Sequence, residues 1–315
     1  MSNLKFILVR SDEQGLRLDK FLKKYFSNIP YSIIQKKIRL GIFKVNGKKK
    51  NSSYKVFHQD KVYYKDNIVS NQNSSKKLFL PEKYKTLIQK SVLYEDEFIL
   101  ILNKPYGIPV QGGSKIIFSI DDALSCLCSD IDSLRLTHRI DKNTTGILII
   151  AKSKDTAKDI TKLFKEDKVK KTYWTLVIGK PKVLSGSIKA PISKVNLNGI
   201  EKMKVIENNE KIAITYYQTL ETKEGLSLIE VYPKTGRTHQ IRVHLLSKEC
   251  PILGDRKYKL FKIKESKFDK LDYKMHLHAK SISFELNNKI YSFEADLPNH
   301  FIKTLRDNKF KTLFK

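Results

Sequence analysis

Residues 134–152, LRLTHRIDKNTTGILIIAK, constrain the fold of this chain more than any other stretch. A polar turn with one acid, Asp141, runs directly into the apolar segment Gly146 to Ala151. A short apolar run bounded by turn residues reads as a buried strand. Asp-Lys-Asn-Thr-Thr-Gly is good turn chemistry, since an aspartate there can bond its own backbone. The carboxylate sits at a fixed point beside a rigid element, where it either ties off the turn or does chemistry. On composition alone the turn is the simpler reading.

The surrounding segments extend the pattern. SVLYEDEFILILNKP predicts a strand pair around an acidic turn, ended by Pro105. Residues 155–168 predict an amphipathic helix with Ala157, Ile160, Leu163 and Phe164 on one side. YWTLVIG, IAITYYQTL, LSLIEVYP and SISFEL are rich in β-branched and aromatic residues and read as strands. Residues 238–247 predict a helix opened by Thr238 as N-cap. The lysine-rich stretch 257–274 reads as an exposed excursion. Many strands and few helices predict an α+β fold with a mixed, mainly antiparallel sheet, not a doubly wound parallel one.

The amino-terminal stretch reads as a separate small α+β unit over residues 1–64, followed by a polar linker at 65–85 and a larger domain at 86–315. Leu18, Phe21, Leu22, Tyr25 and Phe26 recur at helical spacing, with Lys20, Lys23 and Lys24 largely off the apolar stripe. Pro30-Tyr31-Ser32 opens a second helix carrying Ile34 and Ile38, with Lys36, Lys37 and Arg39, and Gly41 placed to cap it. Asn46-Gly47 suits a hairpin turn, and Val56-Phe57 with Val62-Tyr63-Tyr64 complete a small sheet. The first 85 residues hold 20 Lys+Arg against 6 Asp+Glu, a net charge of +14. Half of the whole chain's +28 therefore lies in about a quarter of its length. Such a field implies a polyanionic partner, because cations that neutralise phosphates release condensed counterions. Two consecutive basic helices and the Lys48-Lys49-Lys50 run favour nucleic acid over merely solvated helix faces.

Several classes are excluded from the expectation. No stretch approaches the ~20 apolar residues of a membrane span, and MSNLKFILVRSDEQG lacks a signal peptide's apolar core. Cys126, Cys128 and Cys250 form neither a disulfide framework nor a zinc knuckle, so they read as reduced thiols of a cytoplasmic protein. His276 and His278 share a strand face without a third ligand at metal spacing, and His138, His239 and His244 suggest zinc no better. Phosphate-binding and dinucleotide fingerprints are absent, so neither metal nor cofactor is expected. Asn103-Lys104-Pro105 through Gln111-Gly112-Gly113 reads as a loop near a site or against RNA.

Three constellations could carry chemistry. Asp141, flanked by His138 and Arg139, needs no partner to deprotonate it and can serve as nucleophile or general base. In Lys234-Thr-Gly-Arg-Thr-His-Gln-Ile-Arg242, a turn feeds a helix start, which suits an anion. Burying Arg242 would require a partner, and Asp141 is the natural candidate. Tyr173, at the head of a strand, is either a core aromatic or a surface for a flipped base.

These motifs together resemble the RluA-type pseudouridine synthases. HRIDKNTTG resembles their HRLD-x-x-TSG motif, NKPYGIPVQGG an upstream motif, and KTGRTHQIRVHL followed by PILGDRKY a third. The resemblance covers about residues 90–315 and implies the pseudouridine synthase fold. The amino-terminal unit resembles an S4-like RNA-binding domain, shared with a small-subunit ribosomal protein. IPYSIIQKKIRLGIFKVNGKK and VQGGSKIIFSI look most like the large-subunit ribosomal RNA enzymes, the RluC group more than the RluD group. The resemblance implies Asp141 as nucleophile, Tyr173 stacking on the target uracil and Arg242 orienting Asp141. It implies Arg139 filling the space left by the flipped base, with His138, Arg237 and Thr145 near the substrate. Ile140 and Thr145 replace Leu and Ser, and Tyr106 and Gln111 stand where the family often has Ala and His. The implied partner is large-subunit ribosomal RNA or its precursor particle, bound by a monomer. A non-catalytic RNA-binding assembly factor, and a hydrolase or lyase using the same carboxylate, are the rival readings.

Overall fold

The computed structural model describes residues 4–27, 29, 31–65, 81–112, 118–127, 134–197, 199–206, 212–260 and 273–312. The chain divides into two compact units, Met1–Phe79 and Leu80–Lys315.

The first unit is built from β1 (Leu4–Leu8), α1 (Leu18–Tyr25), α2 (Tyr31–Arg39), β2 (Lys44–Val45) and β3 (Lys61–Lys65). Its sheet runs β1-β3-β2, antiparallel throughout. The apolar stripes of both helices meet over Phe43, Val45, Val56 and Val62, with Leu18, Phe21, Leu22, Ile34 and Ile38 fully buried. Gly41 closes α2 as its position predicts: at φ +73 its amide donates to Ile38 O at 2.9 Å. Asn46 and Gly47 both take positive φ, 49° and 77°, while Val45 and Lys48 exchange both backbone hydrogen bonds. That is the primed hairpin turn that Asn-Gly favours. Val56-Phe57, expected in the sheet, lies outside it. Val56 bonds instead to the Gly15-Leu16 turn (2.8 and 2.9 Å), and β1 takes the sheet position.

The second unit comprises α3 (Glu82–Gln89), β4 (Val92–Glu95), β5 (Ile99–Lys104), α4 (Ile120–Ala123), β6 (Arg135–Leu136), β7 (Thr145–Ala151), α5 (Lys154–Lys165) and β8 (Lys170–Ile178). It continues through β9 (Ser185–Leu197), β10 (Ile200–Val205), β11 (Ile212–Lys223), β12 (Leu226–Pro233), α6 (Gln240–Ser247), β13 (Leu277–Leu286), β14 (Lys289–Glu294) and α7 (Asn299–Asp307). The sheet order is β10-β9-β11-β12-β8-β13-β7-β5-β4, with β14 beside β13 and β6 beside β7. Every pairing is antiparallel except β13 with β7, so the sheet is mixed and mainly antiparallel as expected.

The apolar run of β7 is buried on both faces because successive side chains alternate. Ile147 and Ile149 pack with Ile99, Ile101 and Ile160 of α5. Leu148 and Ile150 pack on the other face with Leu100, Leu102, Ile88 of α3 and Ile120 of α4. Toward the other end of the sheet, Val177, Ile229 and Val231 lie under α6, while Leu176, Leu226 and Leu228 lie under α7.

Some boundaries differ from the sequence expectation. Helix α3 begins at Glu82, inside the stretch that reads as linker, because Ile88 anchors it to the sheet core. Strands β9 and β10 escape the sequence pattern: Lys, Ser and Pro interrupt β9, and Ile188 and Ile192 are its anchors in the core. Most of the lysine-rich stretch, 261–272, and of the linker, 66–80, lies outside the described residues, as does Cys128.

The parallel pairing that joins the two parts of the sheet is short, His278 with Thr145 and Ala279 with Gly146. Gly146 has φ +102, and a Cβ there would lie 2.2 Å from Ala279 O. Only glycine allows strands this close in that conformation. Asp141 leads into this seam, Tyr173 pairs with Ala279 across it, and Arg242 is presented by α6.

Candidate active site

The site is assembled around a buried arginine. Arg242 is 8% exposed and sits in the first turn of α6. Its Nε donates to Asp255 Oδ2 at 2.7 Å, its Nη2 to Asp255 Oδ1 at 2.9 Å, and its Nη1 to Asp141 Oδ2 at 2.8 Å. The bidentate fork fixes the plane of the guanidinium, and the third bond places the Asp141 carboxylate. Burial alone would lower the Arg242 pKa. The hydrogen bonds and charge of Asp255, joined by those of Asp141, outweigh it and raise the pKa further above its ordinary value. The arginine is therefore a permanent cation. Tyr258 covers its face, with the ring centroid 4.8 Å from Cζ.

Tyr258 also orders a second neighbour of the carboxylate. Its hydroxyl accepts from Met203 N at 3.0 Å and lies 2.7 Å from His239 Nδ1. The opposite ring nitrogen, Nε2, lies 3.8 Å from Asp141 Oδ2. Burial lowers the His239 pKa, against the opposing pull of Asp141, which favours a neutral ring.

His239 has φ 56, a left-handed conformation uncommon for a side-chain-bearing residue. The helix therefore starts at Gln240, and Thr238 does not cap it. The buried Gln240 instead fastens the turn ahead of the helix through its side chain. Its Oε1 accepts from Thr235 Oγ1 and Arg237 N (2.7 and 3.0 Å), and its Nε2 donates to Ile214 O and Thr215 Oγ1, both at 2.9 Å. All four hydrogen-bonding positions of the amide are used, and the KTGRTH turn is pinned to β11.

Lys104, the last residue of β5, is fully buried beneath the Asp141 turn. Its three ammonium protons meet three carbonyls: Pro105 O and Ile108 O at 2.9 Å, and Lys142 O at 3.1 Å. Burial pushes its pKa down to about 7, opposed by the charge of Asp141. Lys104 thus ties the Asn103–Pro109 segment to the turn that carries Asp141, a role the sequence reading of this loop did not assign.

The remaining candidates separate into two groups. Tyr173 lies on β8 near Asp141; burial raises its phenol pKa, and the charge of Asp141 adds to the rise. The hydroxyl stays protonated and the ring lines a cleft with Ile147, Ala279 and Ile282. Arg139 and Arg237 are exposed. His138, which lines the same cleft as Tyr173, and the buried Thr145 both have partners within the fold. The His138 ring stacks on Phe164 at 4.6 Å and its Nε2 accepts from Ile149 N at 2.9 Å. Burial, with Lys171 nearby, pushes its pKa down to about 3, so it is the neutral ring. Thr145 Oγ1 lies 2.8 Å from His278 Nδ1, whose Nε2 faces Ala295 O at 3.2 Å. A ring nitrogen facing a carbonyl must carry the proton, so Thr145 donates to Nδ1 and fastens the seam.

The helical cations of the first unit are also less free than expected. Lys23 Nζ donates to Ser27 O and Ile29 O (2.5 and 2.9 Å), and Lys24 Nζ pairs with the buried Glu13 at 2.7 Å. Burial lowers the Lys37 pKa. Lys20 and Arg39 are exposed, and the side chain of Lys36 lies outside the described residues. Among the described residues, there is no cluster of three or more His, Cys, Asp or Glu able to hold a metal, and no helix is long and apolar enough to cross a membrane.

Comparison with known proteins identifies the family. The family described as RNA pseudouridylate synthase matches residues 98–247, which include Asp141, Tyr173 and Arg242. A ribosomal large subunit pseudouridine synthase C of Rickettsia bellii is 38% identical over 294 residues, covering 90% of this chain and 95% of that protein. The chain belongs to the RNA pseudouridylate synthase family. Proteins of the same name from Buchnera aphidicola and Haemophilus ducreyi are 35% and 34% identical, covering 90% and 96% of this synthase. Human RNA pseudouridylate synthase domain containing 4 superposes with a TM-score of 0.61 at 30% identity, covering 73% of this chain and 97% of its own. The fold of the second unit is thus a pseudouridine synthase fold. Asp255 and Tyr258 of this synthase lie in PILGDRKY, a motif visible in the sequence, but no spacing rule links Asp255 to an arginine thirteen residues earlier.

Proposed function

We propose that this synthase isomerises uridines to pseudouridine in large-subunit ribosomal RNA, with Asp141 as the group that acts on the substrate. The observation that carries the reading is the carboxylate itself. Asp141 keeps 25% of its side chain exposed while Arg242, 9% exposed, holds it from inside and Asp255 holds Arg242. One oxygen of Asp141 is oriented and the group still opens to solvent, which suits a nucleophile or base for a bound nucleotide.

In the reaction the N1–C1′ glycosidic bond breaks, the uracil turns, and a C5–C1′ bond forms. The proton leaves C5 and N1 gains one, so the atoms balance with no oxidant or outside energy source. A duplex hides C1′ and both faces of the base, so the target must leave its stack at a cost of a few kcal/mol. Tyr173 offers a neutral ring for the extruded uracil, and the exposed Arg139 takes the space it vacates. Arg242 acts as a positioning residue through Asp141. Attack on C1′, attack on the base, and abstraction of a sugar proton each begin from the same carboxylate. The net charge of +28 supports a polyanionic substrate, and the relatives named for the large ribosomal subunit support ribosomal RNA as that substrate.

The test is tritium release from large-subunit ribosomal RNA carrying uracil labelled at C5. Asp141→Asn is expected to abolish release while RNA binding is retained. Turnover by the asparagine variant overturns the assignment of Asp141. Free uracil or strand cleavage in place of pseudouridine overturns the isomerisation.

A further inference from the structure

The first unit carries an exposed sheet face that neither the uridine chemistry nor the basic helices explain. Register places Leu4, Phe6 and Leu8 of β1 opposite Lys65, Tyr63 and Lys61 of β3, and Tyr63 opposite Lys44 of β2. Residues directly opposite share a face, so these seven side chains form one surface. The other face carries Val45, Val62, Ile7 and Tyr64 into the core. On the outer face Leu4, Phe6 and Leu8 are 62%, 51% and 48% exposed. Three apolar residues on one strand face need a reason to be left in water.

The chemistry around them names the occupant. Phe6 and Tyr63 lie with ring centroids 5.7 Å apart at 51°, and Lys61 Nζ sits 5.3 Å from the Phe6 centroid. Lys44, Lys61 and Lys65 flank the rings, and the three strands, LKFIL, KV and KVYYK, contain no acid. An open sheet with paired aromatics and flanking cations matches a base-stacking platform, in which rings take unpaired bases and cations take the phosphates. An apolar protein partner would have no use for an all-cationic rim. The helices favour the same assignment, since Lys23 and Lys24 already have internal partners. We propose that this sheet face binds a single-stranded RNA segment by stacking on Phe6 and Tyr63.

The experiment uses the full chain and a fluorescein-labelled oligoadenylate 12-mer, which contains no uridine. Phe6→Leu with Tyr63→Leu keeps apolar area and removes both rings. It is expected to weaken binding by about fivefold or more at an unchanged melting temperature, and ultraviolet cross-links to peptides holding Phe6 or Tyr63 disappear. Lys61→Gln with Lys65→Gln is expected to lower the slope of log affinity against log salt by about 1.4. Asp141→Asn leaves oligoadenylate binding at the wild-type level, so failure of the catalytic assignment and failure of the platform are read separately. Wild-type affinity in the leucine variant, with cross-links confined to other peptides, overturns the proposal. So does loss of self-association in that variant with oligoadenylate affinity intact, which would make the face a protein interface.

Discussion

Two ion-pair clusters, one in each unit, are built in opposite ways. In the cluster of the first unit the acid is inside and the cation outside. The side chains of Asp19 and Glu13 are fully buried, and their partners Arg17 and Lys24 are 46% and 53% exposed. At the Arg242 site of the second unit the cation is inside, with Arg242 and Asp255 buried and Asp141 reaching the surface. A buried acid under a surface cation serves architecture, because no ligand can reach its oxygens. A buried cation that leaves one carboxylate open serves chemistry, because it orients a reactive group without covering it. The Arg242–Asp255 fork supplies the anchoring that a lone surface pair lacks.

The largest expected effect crosses the two sites. Asp141→Asn is expected to cut turnover by about a thousandfold or more, with amide protection in both units unchanged. Asp19→Asn is expected to do the reverse. It weakens the bonds from Arg17 and the Lys20 amide, speeds hydrogen exchange in α1, and leaves turnover on a short RNA stem within about twofold. Loss of turnover in both variants, with protection intact in both, would erase the distinction.

Gly146→Ala tests the seam on which the open carboxylate depends. The new Cβ would lie 2.2 Å from Ala279 O at φ +102. Neither backbone can give way without breaking the β13–β7 pairing, so a loss of about 3 kcal/mol or more is expected in denaturant unfolding of the second unit. Near-wild-type stability would mean that the seam is softer than its register implies.

Acid is expected to separate the units. Burial pushes the pKa of His244, His276 and His278 from 6.5 to about 4. Unfolding lets them bind protons at higher pH than the folded chain does, so stability falls as pH drops from about 6.5 toward 4. Each contributes at most about 1.4 kcal/mol per pH unit in that window. In the first unit, hydrogen bonds and the nearby cations outweigh burial and lower the pKa of Glu13 and Asp19 from 4.5 and 3.8. Their contribution is present above those ordinary values and is lost only as pH falls through the lower folded values. Its one histidine, His58, is exposed. Hydrogen exchange at pH 5 should therefore loosen the second unit first, and simultaneous loosening would refute the contrast.

The same contrast explains what the sequence could disclose. Alternation and helical spacing located the central strands, α5 and the helix pair, because burial of one face leaves a period in the chain. The turn at Asp141 and the arginine at 242 were legible through their motifs, and an arginine buried among apolar neighbours demands an acid. Asp255 and Tyr258 lie in a visible motif, but their roles do not show there, since their partners arrive only through tertiary folding. The internal partners of His138 and Thr145, Phe164 and His278, were equally invisible, since they too arrive only through tertiary folding. Lys24 shows the same limit: lying off the apolar stripe sets its direction from α1, not the buried Glu13 it meets.

The smallest effect completes the comparison with a pair that is open on both sides. At the C-terminal end of α5, Glu166 receives Lys168 at 2.9 Å and Lys162 at 3.9 Å, with side-chain exposures of 37%, 64% and 71%. Hydrogen bonding and charge from Lys168 lower the Glu166 pKa. Water solvates all three groups when the pair opens, and holding long side chains together costs rotamer freedom. Glu166→Gln is expected to leave turnover unchanged and the melting temperature within about 1 °C in 0.15 M salt. The Lys168–Glu166 distance matches those at Arg242, so a shift of several degrees would show that proximity alone sets the strength of a pair. The expected silence would place the difference where the burial pattern puts it, in which member of the pair is removed from water.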